Sequence, residues 1–363
     1  KFIGDDLESS ESANSPTLRQ KTKDFFSDVV SFIGSSDISI DICGTKIHQE
    51  GLISELEKRP DFQVYKYRGL VEYPANQALW DQWRNIYVDL DDSKHMENAK
   101  QFYLSNRFEM DEGGKTLWPD YVKPRYPSKI YELMATRVEV GEGAFNKEIQ
   151  NEPLDPERQL FDMGRAEYFE IMAHAGKRYV QRDNGKQMFI DDMTIFAIVD
   201  PAGPPKAKGR TDFTCIMILG RDDTGRFYVL DTWMKRAKAD DWLNVMFEMC
   251  SPQQWGVHSL RVKETGTMGL AYEAFRREKA DRMVRNEWCN ITAGFLIESA
   301  NKPDRIAKLE PFVNNKWVAF NHNLPHECIN QMKLFPGGDH DDFPDCLEEG
   351  IMCMKGSRLA LSQ

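Results

Sequence analysis

Residues 193–233 read MTIFAIVDPAGPPKAKGRTDFTCIMILGRDDTGRFYVLDTW. The run from Ile195 to Val199 is wholly apolar and stops at Asp200-Pro201. A run this short, rich in β-branched residues and ended by a turn signal, reads as a strand buried on both faces. The stretch from Phe213 to Trp233 holds two further apolar runs around Asp222-Asp223-Thr224-Gly225. Those four residues suit a tight turn, so the stretch reads as a hairpin. Three strands in succession, the first ending on an aspartate, set the frame for everything downstream.

After this meander the pattern alternates. KADDWLNVMFEMC (238–250) is helical, HSLRVKET (258–265) is a strand ending near Glu264, and GLAYEAFRREKADRMVR (269–285) is a helix. ITAGFLIES (291–299) is a strand, PDRIAKLEPFVN (303–314) helical, KWVAF (316–320) a short strand and LPHECINQMKLF (324–335) a helix; a last helix opens near Asp341. Antiparallel strands that lead into parallel strands with crossover helices make a mixed sheet covered on both faces. The expected class is α/β, with the element order of an RNase H-like fold. Upstream, residues 1–60 read as α/β, with a helix capped near Ser15, Pro16 in its first turn and a strand in ISIDICGT (38–45). Residues 80–190 read as mostly helix and loop. The aromatic stretch ALWDQWRNIY (78–87) is read as buried core.

The last helix begins HDDFPDCLEEG (340–350), with Asp341, Asp342 and Asp345 in its opening and Glu348 and Glu349 behind them. One or two acids at a helix start are explained by capping and the helix dipole. Asp341 and Asp345, four apart, share a face and repel unless a cation lies between them. Active sites of open α/β sheets lie at the carboxyl ends of strands. Asp200 and Glu264, each closing a strand, would therefore meet the first turn of this helix. Carboxylates so clustered suit two Mg²⁺ or Mn²⁺ ions about 4 Å apart, which activate water and steady the leaving oxygen of a phosphodiester. His340 could touch a metal or phosphate, or simply lie at the helix start. Asp212 and Asp231 are weaker candidates.

Composition excludes several classes. The net charge of −11 argues against a protein that coats nucleic acid, though not against a nuclease with local basic patches. Such patches are PKAKGR, with Lys206, Lys208 and Arg210, then Lys235 and Arg236, and the helix face 276–285. Seven cysteines without a CxxC pair suggest a reducing compartment. No run of about 18 apolar residues occurs, so no membrane span is expected.

Several stretches together resemble the large subunit of a tailed-bacteriophage terminase, the DNA-packaging motor and nuclease. FIGDDLESSE, with Asp5 and Asp6, resembles the end of a Walker B strand. ISIDICGTKIHQEGLISEL, with Gly44 and Thr45, resembles the family's coupling motif. GAFNKEIQNEPLDPERQLF (143–161) resembles the segment that joins ATPase to nuclease. IFAIVDPAG, RVKETGTMG, KPDRIAKLEP and HDDFPDCLEEGI match the nuclease domain in order and spacing.

The resemblance implies an RNase H/RuvC-like nuclease domain over 186–363, preceded by an ATPase remnant over 1–60 and a helical linker or subdomain over 61–185. It implies metal-dependent cleavage of concatemeric double-stranded viral DNA by Asp200, Glu264 and an acid of the HDD motif. Asp341 and Asp342 are both kept as metal ligands, and Asp345 is kept as a further catalytic acid. Implied partners are double-stranded DNA, a portal protein and a small terminase subunit, in a ring-shaped motor in the infected host's cytoplasm. No GxxxxGK[ST] phosphate loop occurs, and the chain opens at Lys1 as though inside a larger fold. ATP is therefore expected to serve only an intact motor, and this chain is not expected to hydrolyse it. Two other functions fit the same acids: an RNase H-like resolvase or transposase, or a non-catalytic packaging component.

Overall fold

The computed structural model describes residues 1–30, 38–153, 159–202, 213–257, 259–264, 270–297 and 301–356. They belong to two compact units, Lys1–Arg158 and Gln159–Gln363.

In the first unit, β1 (Phe2–Asp5) is followed by α1 (Ser10–Asn14) and α2 (Pro16–Asp28). Then β2 (Ile40–Cys43) pairs parallel with β1, and α3 (Leu52–Leu56) follows. The Ser15 hydroxyl accepts the Leu18 N–H and Pro16 opens α2, as the sequence predicts. Phe26, Val30, Leu52 and Leu56 form the small core here. Next come β3 (Leu70–Glu72), α4 (Gln77–Tyr87), α5 (His95–Ser105), α6 (Arg107–Asp111), β4 (Lys115–Thr116), α7 (Lys129–Val140) and α8 (Glu142–Glu148). Trp80, Trp83 and Tyr87 lie on the buried face of α4. The Trp83 ring stacks 4.7 Å from Tyr87 and meets Tyr131 edge-on at 5.2 Å, so the aromatic stretch is core.

The second unit opens with β5 (Glu167–His174), β6 (Lys177–Arg182) and β7 (Gln187–Phe189), and continues with β8 (Thr194–Asp200), β9 (Thr214–Arg221) and β10 (Phe227–Lys235). It goes on through α9 (Ala239–Cys250), β11 (Ser259–Glu264), α10 (Leu270–Val284), β12 (Thr292–Ile297), α11 (Lys302–Ala307), α12 (Glu310–Asn314), β13 (Val318–Asn321), α13 (His326–Leu334) and α14 (Asp342–Met354). All nine of these strands form one sheet in the order β12-β11-β8-β9-β10-β13-β5-β6-β7. The meander β8-β9-β10 is antiparallel, and β11 and β12 add in parallel beside β8. This is the mixed sheet expected from the element order.

One expectation is corrected. Residues 167–189, read as helix or loop, are strands that extend this sheet through β13. Polar and charged residues are spread through β5 and β6, much of which is exposed, and this hid the alternation. A two-residue turn, Ala175-Gly176 with φ of 52° and 77°, joins the first pair.

Each central strand feeds two cores. Phe196 and Ile198 of β8, with Cys215, Met217 and Leu219 of β9, face α14. Ala197 and Val199, with Ile216 and Ile218, join the core built with Trp242, Leu243, Met246 and Phe247 of α9. Burial on both sides accounts for the unbroken apolar runs. Phe343, Cys346, Leu347 and Ile351 form the buried stripe of α14 against β8 and β9. Among the described residues no helix is long and apolar enough to cross a membrane.

The approach of α14 to the sheet depends on Gly350. A Cβ there would lie 2.4 Å from Leu219 Cδ1 and 3.1 Å from Ile198 Cγ2. Gly350→Val is expected to destabilise the second unit by about 1–3 kcal/mol through overpacking, seen as a lower denaturation midpoint. An unchanged midpoint would show that α14 does not pack this closely.

Candidate active site

Asp200 closes β8, the strand between β9 and β11. By alternation it lies on the α14 face with Phe196 and Ile198. One position beyond the Val199–Val262 pair on β11 stands Lys263. Its ammonium donates to Asp200 Oδ2 at 3.1 Å and to Asp345 Oδ2 at 2.6 Å. Asp345, in the first turn of α14, has none of its surface in water. Its other oxygen, Oδ1, accepts from Arg305 Nη2 at 2.6 Å. Arg305 comes from α11, and its Nη1 donates to Glu348 Oε2 at 2.9 Å and Glu349 Oε2 at 2.8 Å. Lys302, one turn earlier, bridges Asp341 Oδ1 at 2.7 Å and Asp345 Oδ2 at 3.2 Å.

The acids of the helix start are thus joined through cations from two other elements. Asp341 stands at the helix N-cap without a side-chain cap bond, because its carboxylate is turned to Lys302. Asp342 Oδ2 accepts the Phe213 N–H at 3.3 Å and lies 3.8 Å from His340 Nδ1. Arg236 stacks over the Phe213 ring at 4.3 Å and reaches His340 Nε2 at 3.4 Å, forming an exposed rim beside Asp342.

Two carboxylates of the network differ in charge balance. Burial would raise Asp345, but Lys263, Lys302 and Arg305 outweigh it and hold the carboxyl below its ordinary range. Burial pushes Asp200 up to about 7; Lys263 opposes this, and the negative charge of Asp345 adds to it. For Lys302, burial opposes the charge, yet Asp345 and Asp341 raise its affinity for the proton. Five carboxylates, Asp200, Asp341, Asp345, Glu348 and Glu349, meet three cations, Lys263, Lys302 and Arg305, and Asp342 lies beside His340.

The donors here are hard oxygens, the kind suited to Mg²⁺ or Mn²⁺. Asp345 does not fit as a ligand, because both of its oxygens are taken by ammonium and guanidinium groups. Among the described residues, no three His, Cys, Asp or Glu side chains converge as a ligand set. Glu264 lies apart from the network: its Oε1 accepts the Tyr272 N–H of α10 at 3.0 Å. Period two explains this. Leu260 and Val262 enter the α9 core, and Glu264 has their parity, whereas Lys263 has the parity that faces α14.

Other candidates resolve more simply. Asp231 accepts the Trp255 indole N–H at 3.0 Å and serves packing. Lys206, Lys208, Arg210 and Asp212 lie outside the described residues. Lys235 closes β10 beside the Trp233 ring. The basic helix face is largely ion-paired, Arg282 and Arg285 both meeting Glu278 and Glu287. In the first unit, Asp6 Oδ1 accepts the Thr45 N–H at 3.3 Å, so the ends of β1 and β2, with Gly44, do come together.

Sequence reasoning missed the three cations. Lys263 stood in view as a charge inside an apolar strand, SLRVKE, where an ammonium needs a buried partner. Lys302 and Arg305, three apart in KPDRIA, share one face of α11. Arg305→Met leaves three buried carboxylates short of a partner, so it is expected to cost about 3–5 kcal/mol. Chemical denaturation reads that loss; a shift under about 1 kcal/mol, the range of an exposed ion pair, would contradict the burial described.

No family model and no curated protein matches this chain. Solved structures similar to it include the large terminase nuclease from thermophilic phage G20c with bound zinc, 14% identical, covering 53% of this chain and 97% of that one at a TM-score of 0.35. The human cytomegalovirus terminase nuclease domain is 13% identical, covering 44% and 82% at a TM-score of 0.33. The large terminase from thermophilic bacteriophage D6E in complex with ADP is 9% identical, covering 66% of this chain and 53% of its own at a TM-score of 0.35. These are likenesses of fold, and no residue's role is taken from them.

Proposed function

We propose that this chain is a divalent-metal-dependent endonuclease of the terminase large-subunit kind, cutting double-stranded DNA by phosphodiester hydrolysis. The observation that carries the reading is the placement of Asp200. It is a buried carboxylate at the carboxyl end of β8, between β11 and β9 in an RNase H-like sheet, and Lys263 ties it to the first turn of α14.

Asp200 and one of Asp341 and Asp342 would hold the ion, while Glu264, on the other face of β11, lies apart from them. A bound Mg²⁺ or Mn²⁺ supplies Lewis acidity for the phosphoryl oxygen and lowers the pKa of a bound water. The chain's own residues do the remaining work. Asp345 holds Lys263 against Asp200 and thereby fixes both side chains. Arg305 keeps Asp345 charged. Arg236, braced on Phe213 beside His340, offers a guanidinium for a phosphate that flanks the cut. Such local contacts serve a chain with net charge −11, which as a whole repels DNA. The nucleophile is water, so no side-chain nucleophile is required. In the packaging reading, the portal, the small subunit and a ring assembly belong to the same proposal.

Nicking and linearisation of supercoiled plasmid with Mn²⁺, Mg²⁺ or EDTA tests this. Asp200→Asn is expected to reduce metal-dependent cleavage on the order of 10²–10³-fold, since the charge stabilisation lost is several kcal/mol. Parallel Asp341→Asn and Asp342→Asn variants show which acid shares the ion. Wild-type protein that never cuts with either metal would sink the nuclease reading and favour a non-catalytic packaging component.

A further inference from the structure

A buried cation is tolerated where an anion meets it. Lys263 and Arg305, 3% and 2% exposed, are both met by carboxylates. Arg261, two residues before Lys263 in β11, is 7% exposed and is in no ion pair among the described residues. Its Nη1 donates to the carbonyl of its neighbour Leu260 at 3.3 Å. One neutral acceptor offsets little of the cost of burying a guanidinium. The register shows where the group lies. Leu260 and Val262 enter the α9 core, so Arg261 and Lys263 share the opposite, α14 face, about 7 Å apart along the strand. Arg261 stands between Ile198 of β8 and Gly294 of β12. A Cβ at residue 294 would lie 2.6 Å from Arg261 Nη1, 2.8 Å from Cζ and 2.9 Å from Cδ. The side chain therefore lies across Gly294, whose missing Cβ makes its seat. Because β12 is the outermost strand on this side, the guanidinium is carried to the edge of the sheet.

We propose that Arg261 is a phosphate-binding residue, whose guanidinium receives a backbone phosphate of DNA at the β12 edge of the sheet. This rests on the nuclease reading above and deepens it. Arg236, which follows β10, serves one flank of Asp200, and Arg261 serves the other, since the strand order puts β8 between them. A guanidinium offers paired N–H groups that match two phosphate oxygens. Its packed stem is already ordered, so little side-chain freedom is lost when the phosphate arrives. The contact is to the backbone and carries no base preference.

Binding of the full chain to a fluorescein-labelled DNA duplex in EDTA, followed by anisotropy at several salt concentrations, reads this contact. Each phosphate neutralised adds about 0.9 to the slope of log affinity against log salt. Arg261→Gln is expected to lower that slope by about 0.9 and to weaken binding about tenfold at low salt. Arg261→Lys, which keeps the charge and loses the fork, is expected to keep the slope and bind more weakly than wild type. Gly294→Ala, which pushes the guanidinium off its seat without changing any charge, is expected to lower the slope as Arg261→Gln does. A folded Arg261→Gln with the wild-type slope would overturn the proposal and make Arg261 a packing residue. Where Arg261→Gln does not fold, Gly294→Ala with the wild-type slope overturns it instead. Wild type whose binding does not depend on salt overturns it too. Plasmid cleavage, measured separately, decides the nuclease reading in each case.

Discussion

A carboxylate with none of its surface in water stays charged only where the protein surrounds it with cations, and Asp345 is in that position. Lys263 from β11 and Arg305 and Lys302 from α11 all close on its two oxygens. Three elements far apart in the chain are locked together at one point. The start of α14, the end of β8 and the end of β11 cannot move independently without breaking a buried ion pair. Asp200, at the same point, is tied to this lock through Lys263.

The lock also sorts the acids. Asp345, Glu348 and Glu349 are spent on Arg305 and Lys263 and hold the helix on the sheet. Asp200 keeps the Lys263 ammonium, and burial together with the charge of Asp345 pushes its pKa up to about 7. The crowding of acids in HDDFPDCLEEG thus has a structural cause, since Asp341, Asp345, Glu348 and Glu349 are paired with Lys263, Lys302 and Arg305.

Much of this was legible in the sequence. The apolar runs of β8 and β9 end where their turns begin, and an aspartate that stops a buried strand pointed to the sheet end. The DDTG turn and the crossover pattern were enough for the mixed sheet. Two features were not legible. Much of residues 167–189 is exposed, so their alternation is diluted by polar side chains and they resembled loop. Lys263, Lys302 and Arg305 lie outside the basic patches of the sequence, so nothing in their neighbours marks them as partners of the acids. Glu264 was assigned to the cluster because it ends its strand, yet alternation along SLRVKE places Lys263, not Glu264, on the face of Asp200. Weighing side-chain parity over position in the strand would have found it.

The claim at the centre of this account is that Asp200 is a cation-binding carboxylate fixed by the Lys263–Asp345 pair. Anomalous diffraction from crystals grown with Mn²⁺ tests it most directly. The account predicts manganese density against the Asp200 carboxylate, with Lys263 still bound to Asp345. A Lys263 side chain swung out of the centre, or a map with no manganese at Asp200, would contradict it.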